Sequence, residues 1–274
     1  MAVRLCSLVT ALVLATGGGA SAAASFASLA PLLASLDLDR GTELVNSRVG
    51  KTYRSLYKTC DSADTFNGAL LPRFNGRRLK CSTDPNHVDF IRKFPDGTIV
   101  FRSKMGVDAD GSPVSQSPNA SAADQPHTSL HYDTGTADYV NAEDVSFVVV
   151  PQSKASYRAA FKADSGIGLG DLAVVIKGGK CSFGLVADEG PAYRIGEASM
   201  KAHEDLGNPQ CKVPGEYPCK RLKAGGNGVG IAAGVTYIIF PNSRPSSLKG
   251  SSVSSLTARL GSEKAAEFLA KYRK

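Results

Sequence analysis

Two carboxylates nine positions apart, Asp188 and Glu197, frame the turn-forming stretch Gly190-Pro191-Ala192-Tyr193-Arg194-Ile195-Gly196. An acid on each side of a short turn suits paired proton transfer, one group donating to a leaving oxygen and the other activating a water, as in cleavage of a glycosidic bond. Glu189 competes with Asp188 for this part, but adjacent strand residues point to opposite faces, so only one of them can face a shared cleft. The same positions also suit purely structural acids, Glu197 at the positive end of a helix and Asp188 opening a turn.

The elements that must position these acids can be read on either side. Phe183 to Ala187 has a strand's composition, whereas Ala198, Ala202 and Leu206 recur at helical spacing until Gly207 and Pro209 stop the pattern. This places Asp188 at a strand end and Glu197 at a helix start. Leu172 to Ile176 and Ser182 to Ala187 form a strand pair joined by Lys177-Gly178-Gly179-Lys180; with strands on both flanks and no Gly-Lys-Ser/Thr ending, those glycines are not a phosphate loop. Pro95-Asp96-Gly97 turns Val88 to Ile91 back along Thr98 to Phe101, and Val145 to Val150 and Val235 to Phe240 are apolar strands closed by Pro151 and Pro241.

Few segments read as helical. Phe26 to Leu38 is an amphipathic helix or a linker to one, Ser153 to Ala163 a loop or short helix, and Ser262 to Tyr272 a closing helix capped by Ser262. Asp39 to Asp84 shows no clear period. Five or six short strands with few helices predict an α+β, mainly β chain whose mixed or antiparallel six-stranded core closes into a barrel.

Met1 to Ala22 has a secretory signal's Arg4, Leu5 to Ala15 apolar run and Ala20-Ser21-Ala22 cleavage pattern, which predicts a secreted, extracellular protein. No later segment approaches ~20 continuous apolar residues, so no membrane span is expected. Loss of the signal leaves Cys60, Cys81, Cys181, Cys211 and Cys219; the pairs close in sequence, Cys60 with Cys81 and Cys211 with Cys219, are the expected disulfides, with Cys181 a buried thiol. No cysteine or histidine spacing fits zinc. Asp108-Ala109-Asp110-Gly111 has the look of a calcium loop, but Ser112 to Ser121 supplies no carboxylate for the bidentate position, so no metal or other cofactor is expected. Asn119-Ala120-Ser121 is a glycan acceptor.

The formal charge of +7, or +6 without Arg4, raises the question of a nucleic-acid partner. Its distribution argues against one. Met105 to Gln152 contains no Lys or Arg but holds Asp108, Asp110, Asp124, Asp133, Asp138, Glu143 and Asp144, while basic residues gather in Lys212 to Lys223 and the tail. Screening beyond ~8 to 10 Å lets such an acidic district attract a cation despite the net sign. Arg77-Arg78-Leu79-Lys80 lacks the aromatic interleaving of a single-strand binder, and no nuclease histidine or metal pattern appears.

With these residues in place, the chain resembles the chitosanases of glycoside hydrolase family 75, known from fungi and also found in bacteria. Lys104-Met105-Gly106-Val107-Asp108-Ala109-Asp110-Gly111 looks like the family's acidic segment, and Asp144 to Pro151, Leu172 to Val175 and Val235 to Phe240 look like its strands. Most specific is Asp188 followed by Gly196-Glu197-Ala198-Ser199, which looks like the family's catalytic Asp and Gly-Glu-Ala-Ser at the same spacing. The similarity spans Thr98 to Phe240. Ala109 stands where the fungal enzymes often carry Cys, and Ala187 where they carry Gly.

The resemblance implies a double-psi-barrel-like core and a domain plan of signal peptide 1–22, N-terminal helical and loop region 23–97 and catalytic domain 98–274. It implies endo-hydrolysis of β-1,4 bonds between glucosamine units with inversion by a cofactor-free monomer. Glu197 would be the general acid and Asp188 the carboxylate handling water. Chitosan is a polycation, so Asp108, Asp110 and Asp133 become candidate substrate-binding acids. The competing reading is a non-catalytic carbohydrate-binding or wall-loosening barrel. Such a module needs neither acid and usually displays aromatic platforms, yet the chain has 7% aromatics and no Trp.

Overall fold

A computed structural model describes residues 33–118, 124–135, 138–224 and 228–274. The strands of the main sheet are β1 (Thr42–Glu43), β2 (Phe90–Lys93), β3 (Ile99–Asp108), β4 (Phe147–Pro151), β5 (Leu172–Lys177), β6 (Lys180–Gly190), β7 (Glu197–Ser199) and β8 (Ile231–Phe240). They pair in the order β1-β2-β3-β7-β4-β6-β5-β8, and β8 returns to β3. That return closes six strands into a barrel, with β1 and β2 as an extension of β3. The barrel is mixed: β3 with β7 and β4 with β6 are parallel, and the other barrel pairs are antiparallel. The expected mainly β, α+β architecture is what the chain adopts.

Strand alternation separates two apolar surfaces. Phe101, Met105, Val148, Val175, Val186, Ala198 and Tyr237, together from all six barrel strands, belong to one buried cluster that fills the lumen. Phe101 and Tyr237 stack there with ring centroids 4.4 Å apart. Outward-facing Val174, Ile176 and Ile238 pack under the C-terminal helix through Ala265, Phe268 and Leu269. Phe147, Val149 and Leu185 are covered by Leu130, Tyr132, Val140 and Val145.

The helices are α1 (Tyr53–Ala63), α2 (Phe161–Ser165), α3 (Met200–Asp205) and α4 (Val253–Lys271). α1 lies within the stretch that showed no period. Its stripe Tyr53, Leu56, Tyr57 and Cys60 is buried, with Thr52 capping the Ser55 N–H at 3.2 Å. The stripe is carried by tyrosines and a cysteine among polar residues, so it escapes a purely aliphatic pattern. α4 begins at Val253 rather than at Ser262, whose hydroxyl bonds back to the Arg259 carbonyl at 2.8 Å. Val253, Thr257, Gly261, Ala265 and Phe268 continue one buried face through that serine, so packing extends the helix past the apparent cap.

Disulfides join Cys60 to Cys81 and Cys211 to Cys219, as expected. Cys181 is half-buried and disulfide-bonded, not a buried thiol. The signal segment, the glycan acceptor and all of Phe26 to Leu38 before Leu33 lie outside the described residues; Leu38–Arg40 is a single 3-10 turn. Among the described residues no helix is long and apolar enough to cross a membrane.

Candidate active site

β4 lies between the two strands that carry the acids. Val149 is the partner of Asp188 across the parallel β4/β6 ladder and of Glu197 across the antiparallel β4/β7 ladder. Laterally paired residues share a face, so Asp188, Val149 and Glu197 all project outside the lumen. A bulge produces this for Asp188. Val148 pairs with Val186 but Val149 pairs with Asp188, so Ala187 is the extra residue. Without it Asp188 would keep the phase of lumen-facing Val186; the bulge re-aims it, a common use of bulges beside reactive sites.

Glu197 is therefore not at a helix start. It is held extended between Gly106 of β3 and Val149 of β4. The helix begins three residues later because Ser199 is its cap: the Ser199 Oγ accepts from the Ala202 N–H at 3.2 Å and also from the Phe147 N–H at 3.0 Å. Glycines give Glu197 its room. A Cβ on Gly106 would stand 2.9 Å from the Glu197 Cγ, and one on Gly190 would stand 3.3 Å from its Oε2.

Lys104, Gly106 and Asp108 alternate along one face of β3, with Glu197 lying over Gly106, a cation on one side and carboxylates on the other. On the acid side, Asp188 is 5% exposed and its Oδ1 accepts the Ser129 N–H at 2.8 Å and the Ser129 hydroxyl. Asp110, 6% exposed, accepts the Gln125 N–H at 2.6 Å and is pushed up to about 8, mainly by burial and then, against that hydrogen bond, by the charge of and hydrogen bond to Asp188. Asp110 thus binds a proton more tightly than an ordinary carboxyl and is linked to Asp188. Burial followed by the charges of Asp110, Asp188 and Glu197 also raises Asp108 well above the usual carboxylate range. Burial raises Glu197, opposed by Lys104 and Arg194.

Carboxylate oxygens of Asp108, Asp110 and Asp188 lie within 4.8 Å of one another. The remaining sequence candidates lie elsewhere. Asp133 is exposed, binding Arg244 at 3.0 Å and the Leu248 N–H at 2.6 Å. Glu189 turns to the opposite face and pairs with Lys162. A 460 Å³ cavity near Lys58 and His87 contains none of the barrel acids.

Further groups support the acids. Lys104, 5% exposed, pairs with Asp84, which also binds Arg194 at 3.3 Å. Asn86 is fully buried and clamps the turn between the acids: its side-chain amide donates to the Tyr193 carbonyl at 3.2 Å and its Oδ1 accepts the Ile195 N–H at 3.0 Å. Asp61 of α1 orients Asn86 through both the backbone and side-chain N–H, at 2.8 and 2.9 Å. Gly196 ends that turn at φ +82, where a Cβ would stand 2.4 Å from the Lys104 carbonyl. Buried His203 donates from Nε2 to the Gly106 carbonyl at 2.9 Å and accepts from Asn208 at Nδ1; burial lowers it to about 4, so it braces β3 as a neutral ring. Of these groups, Lys104 and Gly196 stand in stretches that carry the family resemblance, and the others follow no sequence motif.

The sequence profile of the family described as fungal chitosanase of glycosyl hydrolase group 75 matches residues 105–271. That span contains Asp108, Asp110, Asp188 and Glu197, and leaves Asp61, Asp84, Asn86 and Lys104 outside it. No curated protein gives a significant match to the chain.

Proposed function

Because the chain belongs to glycosyl hydrolase group 75, the fungal chitosanase family, we propose that this glycoside hydrolase is a secreted, inverting endo-chitosanase in which Glu197 and Asp188 are the catalytic pair. The observation that carries the reading is their placement on one face with a single strand between them. Two strand spacings separate their backbones by about 9.6 Å. That suits the ~6.5 to 9.5 Å carboxyl separation needed to seat a water better than the ~5 to 5.5 Å of a retaining pair.

Glu197, with its proton affinity raised, protonates the leaving glycosidic oxygen as the bond to the anomeric carbon breaks. Asp188 takes a proton from a water attacking that carbon from the opposite face, giving the inverted product. The Ser129 donors and the Asp110 proton aim Asp188. Asp108 and Asp110 serve Asp188 more directly than they serve as separate sugar-binding acids, and Asp133 holds the Leu248 segment. Residues before Thr98 act as a brace, with Asn86 setting the turn between the acids. Two disulfides among the described residues support an oxidising, extracellular destination.

The test is release of new reducing ends from chitosan by the mature protein, with the anomer of the first product read by NMR. Wild type should release the inverted anomer, while Glu197→Gln and Asp188→Asn should lose about 10²–10⁴-fold in kcat. Undiminished activity in either variant removes that residue from the mechanism. Binding without cleavage by wild type would replace the hydrolase with a carbohydrate-binding module.

A further inference from the structure

The loop Cys211 to Leu222 carries the most exposed of the described large hydrophobic side chains, Tyr217, at 69%. The loop is closed by the Cys211–Cys219 disulfide and by a bridge between Cys211 and Leu222. Although its ring stands in solvent, Tyr217 is tied at its tip, where the hydroxyl donates to the Asp144 Oδ1 at 2.9 Å. Beside it the Cys219 N–H donates to the Glu143 Oε1 at 2.7 Å. A rigid, exposed aromatic fastened at both ends loses little freedom on meeting a ligand, and its neighbours Glu143 and Asp144 are acids.

This loop adjoins the catalytic face. Cys219 and Leu222 share a buried cluster with Met200 and with Ala109, the residue between Asp108 and Asp110. The Lys201 N–H donates to the Ala142 carbonyl, tying the segment of Glu143 and Asp144 to the helix that follows Glu197. A polymer lying along the outer face past Asp108 would meet Tyr217 next.

We propose that Tyr217 is the stacking platform of a distal subsite, receiving the apolar face of one hexosamine ring while Asp144 meets a sugar ammonium. An aromatic face satisfies the ring's C–H surface, and the flanking carboxylate selects an amino sugar over a neutral one. The proposal rests on the chitosanase reading above.

Steady-state kinetics on glucosamine oligomers of increasing length, beside thermal melting of each variant, test it. Tyr217→Ala should raise KM about three- to tenfold on the long oligomers, corresponding to the stacking contribution, with kcat kept. The shortest oligomer cleaved should be unaffected, and Tyr217→Phe should restore the wild-type KM to within about threefold. An unchanged KM at every length, or an equal loss at every length, overturns the subsite while leaving the hydrolase standing. If wild type cleaves no chitosan, the hydrolase reading has failed. The platform is then decided by gel retardation in soluble chitosan: lost retardation in Tyr217→Ala supports it, and retardation equal to wild type overturns it.

Discussion

Glu197 has two unlike flanks built from one strand face. Toward Lys104 it meets a buried cation whose charge is shared with Asp84, which also holds Arg194. Toward Asp108 it meets carboxyl groups whose proton affinity is raised by burial and by one another's charges. Two-residue steps along β3 bring both within about 7 Å of Gly106, the residue under Glu197. The difference teaches that the flanks trim an effect of burial: burial raises the proton affinity of Glu197 first, Lys104 and Arg194 pull it down, and the charges of Asp84 and Asp188 offset part of that pull. Removing parts of each flank should reveal which does more.

The largest effect expected is from Glu197→Gln, which removes the proton donor. Its kcat on chitosan should fall by about 10²–10⁴-fold while the melting temperature holds or rises, since a desolvated acid is lost. An equal fall in stability would mean that Glu197 is structural.

On the carboxylate flank, Asp188→Asn should approach that loss, and Asp110→Asn should cost less, about ten- to a hundredfold, because it alters only the partner of Asp188. Asp110 also leaves a signature in stability. Its affinity for protons is higher folded, at about 8, than unfolded, near 3.8, so the folded state holds the extra proton between those values. Stability is therefore lost as pH rises through that window. His203, lowered to about 4 from 6.5, acts in the opposite sense, losing stability as pH falls below 6.5. Melting curves between pH 6.5 and 8 isolate the acids: wild type should lose stability across that interval and Asp110→Asn should lose less. Equal slopes would sever the proposed proton sharing.

Asn86→Ala leaves the Ile195 N–H and the Tyr193 carbonyl without their buried partner, costing about 1–3 kcal/mol. Because the turn it clamps joins the two acids, kcat should fall more than KM changes, and Asn86→Asp should restore only the half of the clamp that accepts from Ile195. A loss of melting temperature with kcat intact would confine Asn86 to stability.

The smallest effect belongs to the cationic flank. Asp84→Asn leaves Lys104 and Arg194 unneutralised beside Glu197, so the acid should lose its proton at lower pH. The alkaline limb of kcat/KM should shift to lower pH with little change at the optimum. A limb that stays in place would assign Asp84 only to anchoring Arg194.

Much of this architecture was readable along the chain. The Pro95-Asp96-Gly97 and Lys177-Gly178-Gly179-Lys180 turns and the prolines closing two strands are local signals, and each produced the expected strand or hairpin. The placing of Glu197 failed for a physical reason. Ala198, Ala202 and Leu206 carry helical spacing, but lateral pairing on both sides of a three-residue strand outweighed it. Tyr53 to Cys60 shows the converse, a helix whose buried stripe emerges only when its partners are present.

The sequence by itself determined which groups are available for chemistry: two acids across a Gly/Pro turn, an acidic district, and the cysteines that close two loops. Only the tertiary structure decided how they face. The extra residue at Ala187 changes the side on which Asp188 projects, and that depends on where β4 pairs rather than on any residue type. The charges around Glu197 arrive from Asp84, Lys104, Asp108 and Arg194, distant in the chain and brought together by barrel closure. Residue types are local properties, whereas facing, burial and proton affinity depend on which strands become neighbours.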